Sequence, residues 1–414
     1  RAVSHTQTVQ VLIIFTGMAV ACAMLLHLLP AQVSLLDATR LAGKLGKLES
    51  IDPSFNLHSR YTLWSGLIGG FFLQLSYFGT DQSQVQRYLT GKSVAHSRMG
   101  LLFNGLLKIP MQISILFLGV LVFVFYQFTA PPIFFNAGQV AAIRHAPQAA
   151  AYADLEQQYA ALHEEKQAAI GGLLTAMRRG DAAGEACAGS GLMQTNSQMQ
   201  AVRESAIDLL ADRHPGMDRK DTNYVFLTFL VHYLPVGLLG LVIAAIVAAA
   251  MGSTAAELNA LAATTTVDFY RRFRRRQPRA AAAGSAKGGG NDSAGAQASA
   301  AEERRTVRFS RAATLFWGLF AVLFADYASR LGSLIEAVNI LGSLFYGTIL
   351  GIFLTAFYMP RVNGRAVFRA ALLAELLVLA CFLWSDISFL WYNLVGCLAV
   401  MGLGWLQSVN LHDE

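Results

Sequence analysis

The chain has 414 residues, 54% of them hydrophobic and only 14% charged, with a mean hydropathy of +0.43. That balance excludes an ordinary soluble domain and fits a polytopic membrane protein bathed in a lipid bilayer. The formal net charge of +6 then belongs in cytoplasmic loops rather than on a nucleic-acid interface, so no nucleic-acid partner is expected.

Arg1 is not a start residue, and no signal-peptide pattern precedes the first apolar run, so the chain reads as a fragment that lacks upstream helices. Residues 8–30 form the first expected span, long enough at about 1.5 Å per residue to cross a core of roughly 30 Å. A polar loop over 31–60 follows, then a second span over about 61–82. This second span is unusual, because Gln74, Ser76, Tyr77, Thr80, Asp81 and Gln82 interrupt its apolar run. Gln74, Tyr77 and Asp81 lie three and four apart, so a helix places them on one face. Polar groups at membrane depth are costly and usually face a cavity or a partner. With the glycines at 66, 69, 70 and 79, the stretch reads as a broken or cavity-lining helix.

The third span, about 100–128, starts beside Asn104, Lys108 and Pro110 and ends at Pro131-Pro132. Residues 137–221 are Ala-, Gln- and Glu-rich with no long apolar run, and read as an extramembrane helical insertion. A short helix over 223–234 leads to Pro235 and an Ala- and Gly-rich fourth span over about 236–270. That span runs into RRFRRRQPR, six arginines between 271 and 279. Four further spans are expected at about 309–328, 333–358, 366–384 and 387–408. The organisation is then membrane helices over 1–136, the insertion over 137–221, a membrane helix over 222–276, an Ala/Gly/Ser disordered linker over 277–305 and four helices over 306–410. Cys22, Cys187, Cys381 and Cys397 form no CxxC pair and imply no disulfide or metal framework.

Charge orients the spans. The clusters at 87–98, 271–279 and 361–369 belong on the cytoplasmic side, which puts both chain ends inside and the insertion outside. The loop over 31–60 carries four cations of its own and does not support that rule.

The stretch GTDQSQVQRYLTGKS strongly resembles the segment after the substrate-gate helix in the sodium:solute symporter family, which includes bacterial sodium/sugar symporters. Two further stretches agree with that family in order and spacing. AAAMGSTAAELNALAATTTVDFYRR over 248–272 is similar to its sodium-site helix, and LGSLFYGTILGIF over 341–353 to its Gly-rich helix near the C-terminus. RAVSHTQTVQ resembles the start of the last helix of the family's first repeat. The resemblance implies an all-α polytopic fold of LeuT type, with two inverted repeats of five helices. Of these the chain supplies the last helix of repeat one, all of repeat two and two added helices. The family's first core helix, which gives backbone carbonyls to sodium, would be absent. Such architectures bind their ligands at the repeat interface near the midplane.

The resemblance places Na+ between the Ala249 carbonyl and the Ser253 hydroxyl. A hard cation of that size wants roughly five or six oxygen ligands. Gly252 stands where the family often has a second hydroxyl, and Thr254 points to a different face. Without the resemblance, Ser253 reads rather as a small packing residue in a tight helix interface. Glu257 and Thr264 continue its stripe, as an ion path or as a structural pair near cytoplasmic water. For the solute, the resemblance assigns Gln74 and Tyr77 to binding, with Tyr77 closing over it from the inside, Lys108 to contact from the next helix, and Asn339 to a polar position on the sixth span. Gln, Asn, Tyr and Lys together offer the donors and acceptors that a polyhydroxylated ligand needs. Interhelical hydrogen bonding remains the alternative for Gln74 and Asn339, and snorkelling to the interface for Lys108. Tyr77, Phe78, Asp81 and Arg87 read as gate or structural lock, with Asp81 paired to Arg87 or Lys108. Gln7 replaces an aspartate linked to a second cation site in many family members, so one coupled sodium is expected.

The chain has no GxSxG, P-loop or HExxH, so no enzyme is expected. The reading is a multi-pass protein of the cell (inner) membrane that couples Na+ to symport of a small polar solute, sugar or sugar-like, by alternating access. Its oligomeric state is not readable. One alternative is a transporter-like sensor working with a separate signalling partner. A passive channel fits less well, because spans five to eight are poor in polar residues.

Overall fold

The structure is a computed structural model. It describes residues 2–49, 51–89, 91, 93–213, 217, 219–275, 292–328 and 334–410. Those residues form fifteen α-helices and two wide π turns, with no strand among them. Seven helices are long and apolar enough to cross a membrane among the described residues, and they make the chain a multi-pass membrane protein. Most of their surface faces outward: only 6% of the apolar window of the helix over 303–326 is buried, and 44% of the window over 390–408.

One group of helices gathers around the first span. Helices α1 (Ala2–Leu28), α5 (Val94–Phe128), α9 (Thr222–Tyr233) and α10 (Val236–Thr264) share it. Ala21 and Leu25 of α1 meet Leu118, Leu121, Val122 and Phe125 of α5 and Phe229 and Leu230 of α9. Phe125 sits edge-on to Phe229 and Tyr233, with ring centroids 5.4 and 5.0 Å away. Gly17 brings α1 against α10, where a Cβ would stand 2.5 Å from the Val242 side chain. The second group joins α3 (Gly70–Thr80), α13 (Leu334–Tyr358), α14 (Gly364–Trp384) and α15 (Leu390–Asn410). Leu73, Leu344, Val378, Leu390 and Tyr392 form its core.

Seven long apolar helices stand against the eight spans expected, and the difference is the stretch 61–82. A π turn over Ser65–Gly69 leads into α3, and the helix stops at Asp81, whose backbone is extended (φ −69°, ψ 120°). The short helix α4 (Gln82–Leu89) follows directly after it. The break is at the aspartate rather than at the glycines. The Asp81 carboxylate accepts from the Ser83 amide at 2.8 Å and hydroxyl at 2.7 Å and from the Gln84 amide at 3.3 Å. It thereby caps the donors that open α4.

Residues 137–221 contain α6 (Ala137–Arg144) and a long hairpin, α7 (Ala149–Arg179) and α8 (Ala182–Arg213). Gly180, at φ +68°, makes the left-handed turn between them, and the Asp181 carboxylate caps the start of α8 through the Gly184 amide at 3.0 Å. The hairpin docks on α2 (Leu35–Lys44), burying Ala38, Leu41 and Ala42 against Ile170, Leu173 and Leu192. Arg178 pairs with Asp37 at 2.8 Å and Lys44 with Glu185 at 2.7 Å.

Within the stretch expected as a disordered linker, helix α12 (Asp292–Ala328) is already running by residue 292. Alanine dominates that segment, and its helix propensity outweighs the few glycines and serines. The first part of the expected linker lies outside the described residues.

Candidate functional site

Helices α3 and α5 face each other across an open groove of about 610 Å³. Gln74 and Phe78, four apart on α3, form one wall. Leu101, Asn104, Gly105, Lys108, Ile109 and Gln112 form the other, at the three- and four-residue spacing of one helix face. The Lys108 ammonium lies 5.3 Å from the centre of the Phe78 ring, a cation–π distance. The groove therefore combines an apolar floor, three neutral polar groups and one cation. Its size suits a small organic ligand.

Of the residues expected to hold a solute, Gln74 and Lys108 come together here. Asn104 and Gln112 join them, one turn to either side of Lys108, and the sequence reading assigned neither a role. The signal was the recurrence of polar residues at 104, 108 and 112 along an otherwise apolar helix. Tyr77 does not line the groove, and its hydroxyl accepts a hydrogen bond from the Gln84 side-chain amide at 2.8 Å. Asn339 is half-buried on α13 and does not line the groove. Phe78 lines it directly. The Asp81 carboxylate serves the α4 cap described above, and the side chain of Arg87 lies outside the described residues.

The expected ion ligands sit on α10. Ala249 and Ser253 are four apart, so the carbonyl of one and the hydroxyl of the other share a face. Ser253 is exposed, as is Glu257 one turn further on. The Thr254 hydroxyl donates back to the Ala250 carbonyl at 2.9 Å, so it is already occupied on another face. Thr264, at the end of the stripe, donates to the Gln82 side chain of α4 at 2.6 Å and ties α10 to the broken helix. Beyond it a π turn over Thr265–Arg271 widens the helix, a feature that recurs at functional positions. Helix α13 meets both elements. The Ser76 hydroxyl donates to the Tyr346 carbonyl at 2.8 Å, and the Tyr346 phenol lies within electrostatic reach of Asp81, Tyr77 and Glu257.

Comparison with known proteins gives this arrangement a context. The model of the sodium:solute symporter family matches residues 201–283. The human sodium/iodide cotransporter is 31% identical over 128 residues, which is 30% of this chain and 19% of that protein. The sodium/sialic acid symporter NanT of Aliivibrio fischeri is 27% identical over 186 residues, 44% of this chain and 31% of that protein. A solved substrate-bound, outward-open structure of a Na+-coupled sialic acid symporter superposes with a TM-score of 0.59 at 17% identity. It covers 98% of this chain and 61% of that one, a likeness of fold. The chain thus spans less than two thirds of the relatives it matches. It resembles the sodium:solute symporters in sequence, and its all-α fold is that of a symporter of this kind. These relatives carry the names of transporters, not of enzymes.

Proposed function

We propose that this chain is the larger part of a sodium-coupled symporter and that the α3–α5 groove is its solute site. The observation that carries the proposal is the convergence of Gln74, Phe78, Asn104, Lys108 and Gln112 on one cavity, at the broken helix that carries the family-like motif. The solute is a small polar one. Gln and Asn side chains suit a hydroxylated, sugar-like body, and Lys108 favours one that also carries negative charge. The names of the relatives, which mention sialic acid and iodide, agree with an anion.

Sodium is co-transported. The Ala249 carbonyl and Ser253 hydroxyl contribute two of its oxygens, and other segments complete the shell. With Gln7 in place of an aspartate, one sodium moves per solute. Bound sodium stabilises the outward-facing state, solute binding permits closure, and Tyr77 and Phe78 form the inner gate. Coupling requires that each ligand bind the two states unequally, since equal affinity shifts nothing.

The test is tracer uptake by the complete protein in proteoliposomes, with sialic acid, monocarboxylates, iodide and neutral sugars under an imposed sodium gradient. Uptake of an anionic solute that needs sodium, and that Ser253→Ala and Lys108→Gln each reduce at least tenfold, supports the reading. Sodium-independent flux refutes it, and equal uptake of the anionic solute by Lys108→Gln and wild type removes the anion preference.

A further inference from the structure

Helix α12 has one face that nothing in the described structure covers. Arg304, Arg308 and Arg311 stand four and three residues apart, so they lie in a single stripe. The same stripe continues up the helix as Leu315, Leu319 and Val322, which are 76, 63 and 68% exposed. The polar and apolar parts of this face are thus stacked end to end, cations first and hydrocarbon after. Asp326, on the same stripe 22 residues beyond Arg304, is about 33 Å away, roughly one bilayer core. The face matches an anionic phospholipid end to end, cations opposite the headgroup and hydrocarbon opposite the acyl chains.

Three facts argue for more than a topology anchor. Like charges one turn apart on a helix repel, and a bound anion relieves that repulsion. The three guanidinium groups make no ion pair among the described residues. The helix is also held rigidly at this depth. Phe309 stacks on Tyr270 at 4.2 Å between ring centres, and the Trp317 indole donates to the Thr265 hydroxyl at 3.0 Å. These contacts turn the opposite side of α12 towards α10 and leave the arginine stripe outward. A topology signal needs positive charge near the membrane but no alignment with a lipid-facing stripe.

We propose that Arg304, Arg308 and Arg311 form a docking site for the headgroup of an anionic phospholipid whose acyl chains lie along Leu315, Leu319 and Val322. Arginine forks match the phosphodiester oxygens, and the apolar continuation distinguishes a lipid from a soluble phosphate.

The thermal midpoint of the detergent-purified protein tests this, titrated with phosphatidylglycerol, with phosphatidylcholine and with inorganic phosphate. Phosphatidylglycerol should raise the midpoint, and the other two should not. Each arginine near an anionic surface is worth roughly a fivefold change in apparent affinity. Arg304→Gln/Arg308→Gln/Arg311→Gln should therefore need at least tenfold more phosphatidylglycerol for the same shift. The matching triple Lys variant should keep most of the response. Arg308→Gln alone gives a graded loss should the triple Gln variant fold poorly. An unchanged phosphatidylglycerol response in both Gln variants overturns the proposal, as it would if another protein segment covers this face. So does an equal response to inorganic phosphate.

Discussion

His163 shows how much a single buried side chain constrains its surroundings. It is 2% exposed on α7, and its Nε2 lies 3.1 Å from the Gln167 amide nitrogen. That amide also donates to the Phe128 carbonyl at the end of α5. The ring must therefore accept at Nε2 and carry its proton on Nδ1, which is buried without a hydrogen-bond partner among the described residues. Burial first, and the charge of Lys166 second, push its pKa below 6.5. A lowered pKa means that the unfolded segment binds more protons, so hairpin stability falls as pH drops below about 6.5. Asp37 does not contribute in that window, because the hydrogen bond from Arg178 holds its pKa at about 2 and it stays ionised. Amide exchange in α7 and α8, corrected for its intrinsic pH dependence, should rise between pH 7 and 5, and His163→Gln should flatten the rise. A profile that the variant leaves unchanged removes His163 as the cause. Asp81 separates two readings in the same way. As a cap it should tolerate Asn and lose about 1 kcal/mol to Ala, visible as a lower thermal midpoint. As half of an ion-pair lock it would lose as much to Asn as to Ala. The cap was open to view in the sequence, since Asp81 is followed three residues later by Gln84 at the start of an amphipathic run. The family-like motif drew attention to its charge instead. Polar recurrence at 104, 108 and 112 was equally visible, but only the facing wall of α3 gives it meaning.

Helix packing was less legible than helix existence. Apolar runs located the long helices, because composition alone determines whether a segment can cross a bilayer. Which helices touch depends on where small residues let backbones approach, and many glycines in the chain meet nothing. Gly347 and Gly351, in a GxxxG spacing on α13, are different. A Cβ on Gly347 would sit 2.4 Å from the Asn393 carbonyl oxygen, and one on Gly351 would sit 2.8 Å from that of Cys397. Gly396 answers from α15, where a Cβ would meet the Thr348 amide nitrogen at 2.9 Å. The two helices therefore cross nearly backbone to backbone, as small residues permit in membranes. The buried Asn393 amide uses that closeness to donate to the Ser343 hydroxyl at 2.9 Å. Gly347→Val should force the helices apart and cost about 1–3 kcal/mol, read as a lower thermal midpoint in detergent. Gly402→Val on α15, where a Cβ meets nothing within 4 Å, is the control and should change little. Similar losses from both variants would mean that glycine matters here for the backbone and not for the crossing.

At the scale of the molecule, helix packing bears on the conflict between the loop over 31–60 and the positive-inside rule. The loop over 31–60 carries four cations, which by the positive-inside rule argue against placing it with the insertion. Yet α2 from that loop packs on the α7–α8 hairpin, and the loop spends one of its cations and one of its acids on it, through Lys44–Glu185 and Asp37–Arg178. The same loop also reaches the turn before α15, where the Ser388 amide donates to the Leu57 carbonyl at 2.8 Å. At the far ends of the spans, Thr264 meets Gln82 and Tyr270 stacks on Phe309, which gathers the arginine-rich stretches at the other side. A cation that serves a docked partner, as Lys44 does, need not act as a topology signal. Single-cysteine variants at Glu49, Arg179 and Glu303, all exposed, turn this into a measurement. A membrane-impermeant thiol reagent should label positions 49 and 179 from one face of sealed vesicles and position 303 only from the other. Native Cys187, also exposed, must be replaced first, and its own labelling should follow that of position 179. Labelling of all three positions from one face would break this membrane arrangement.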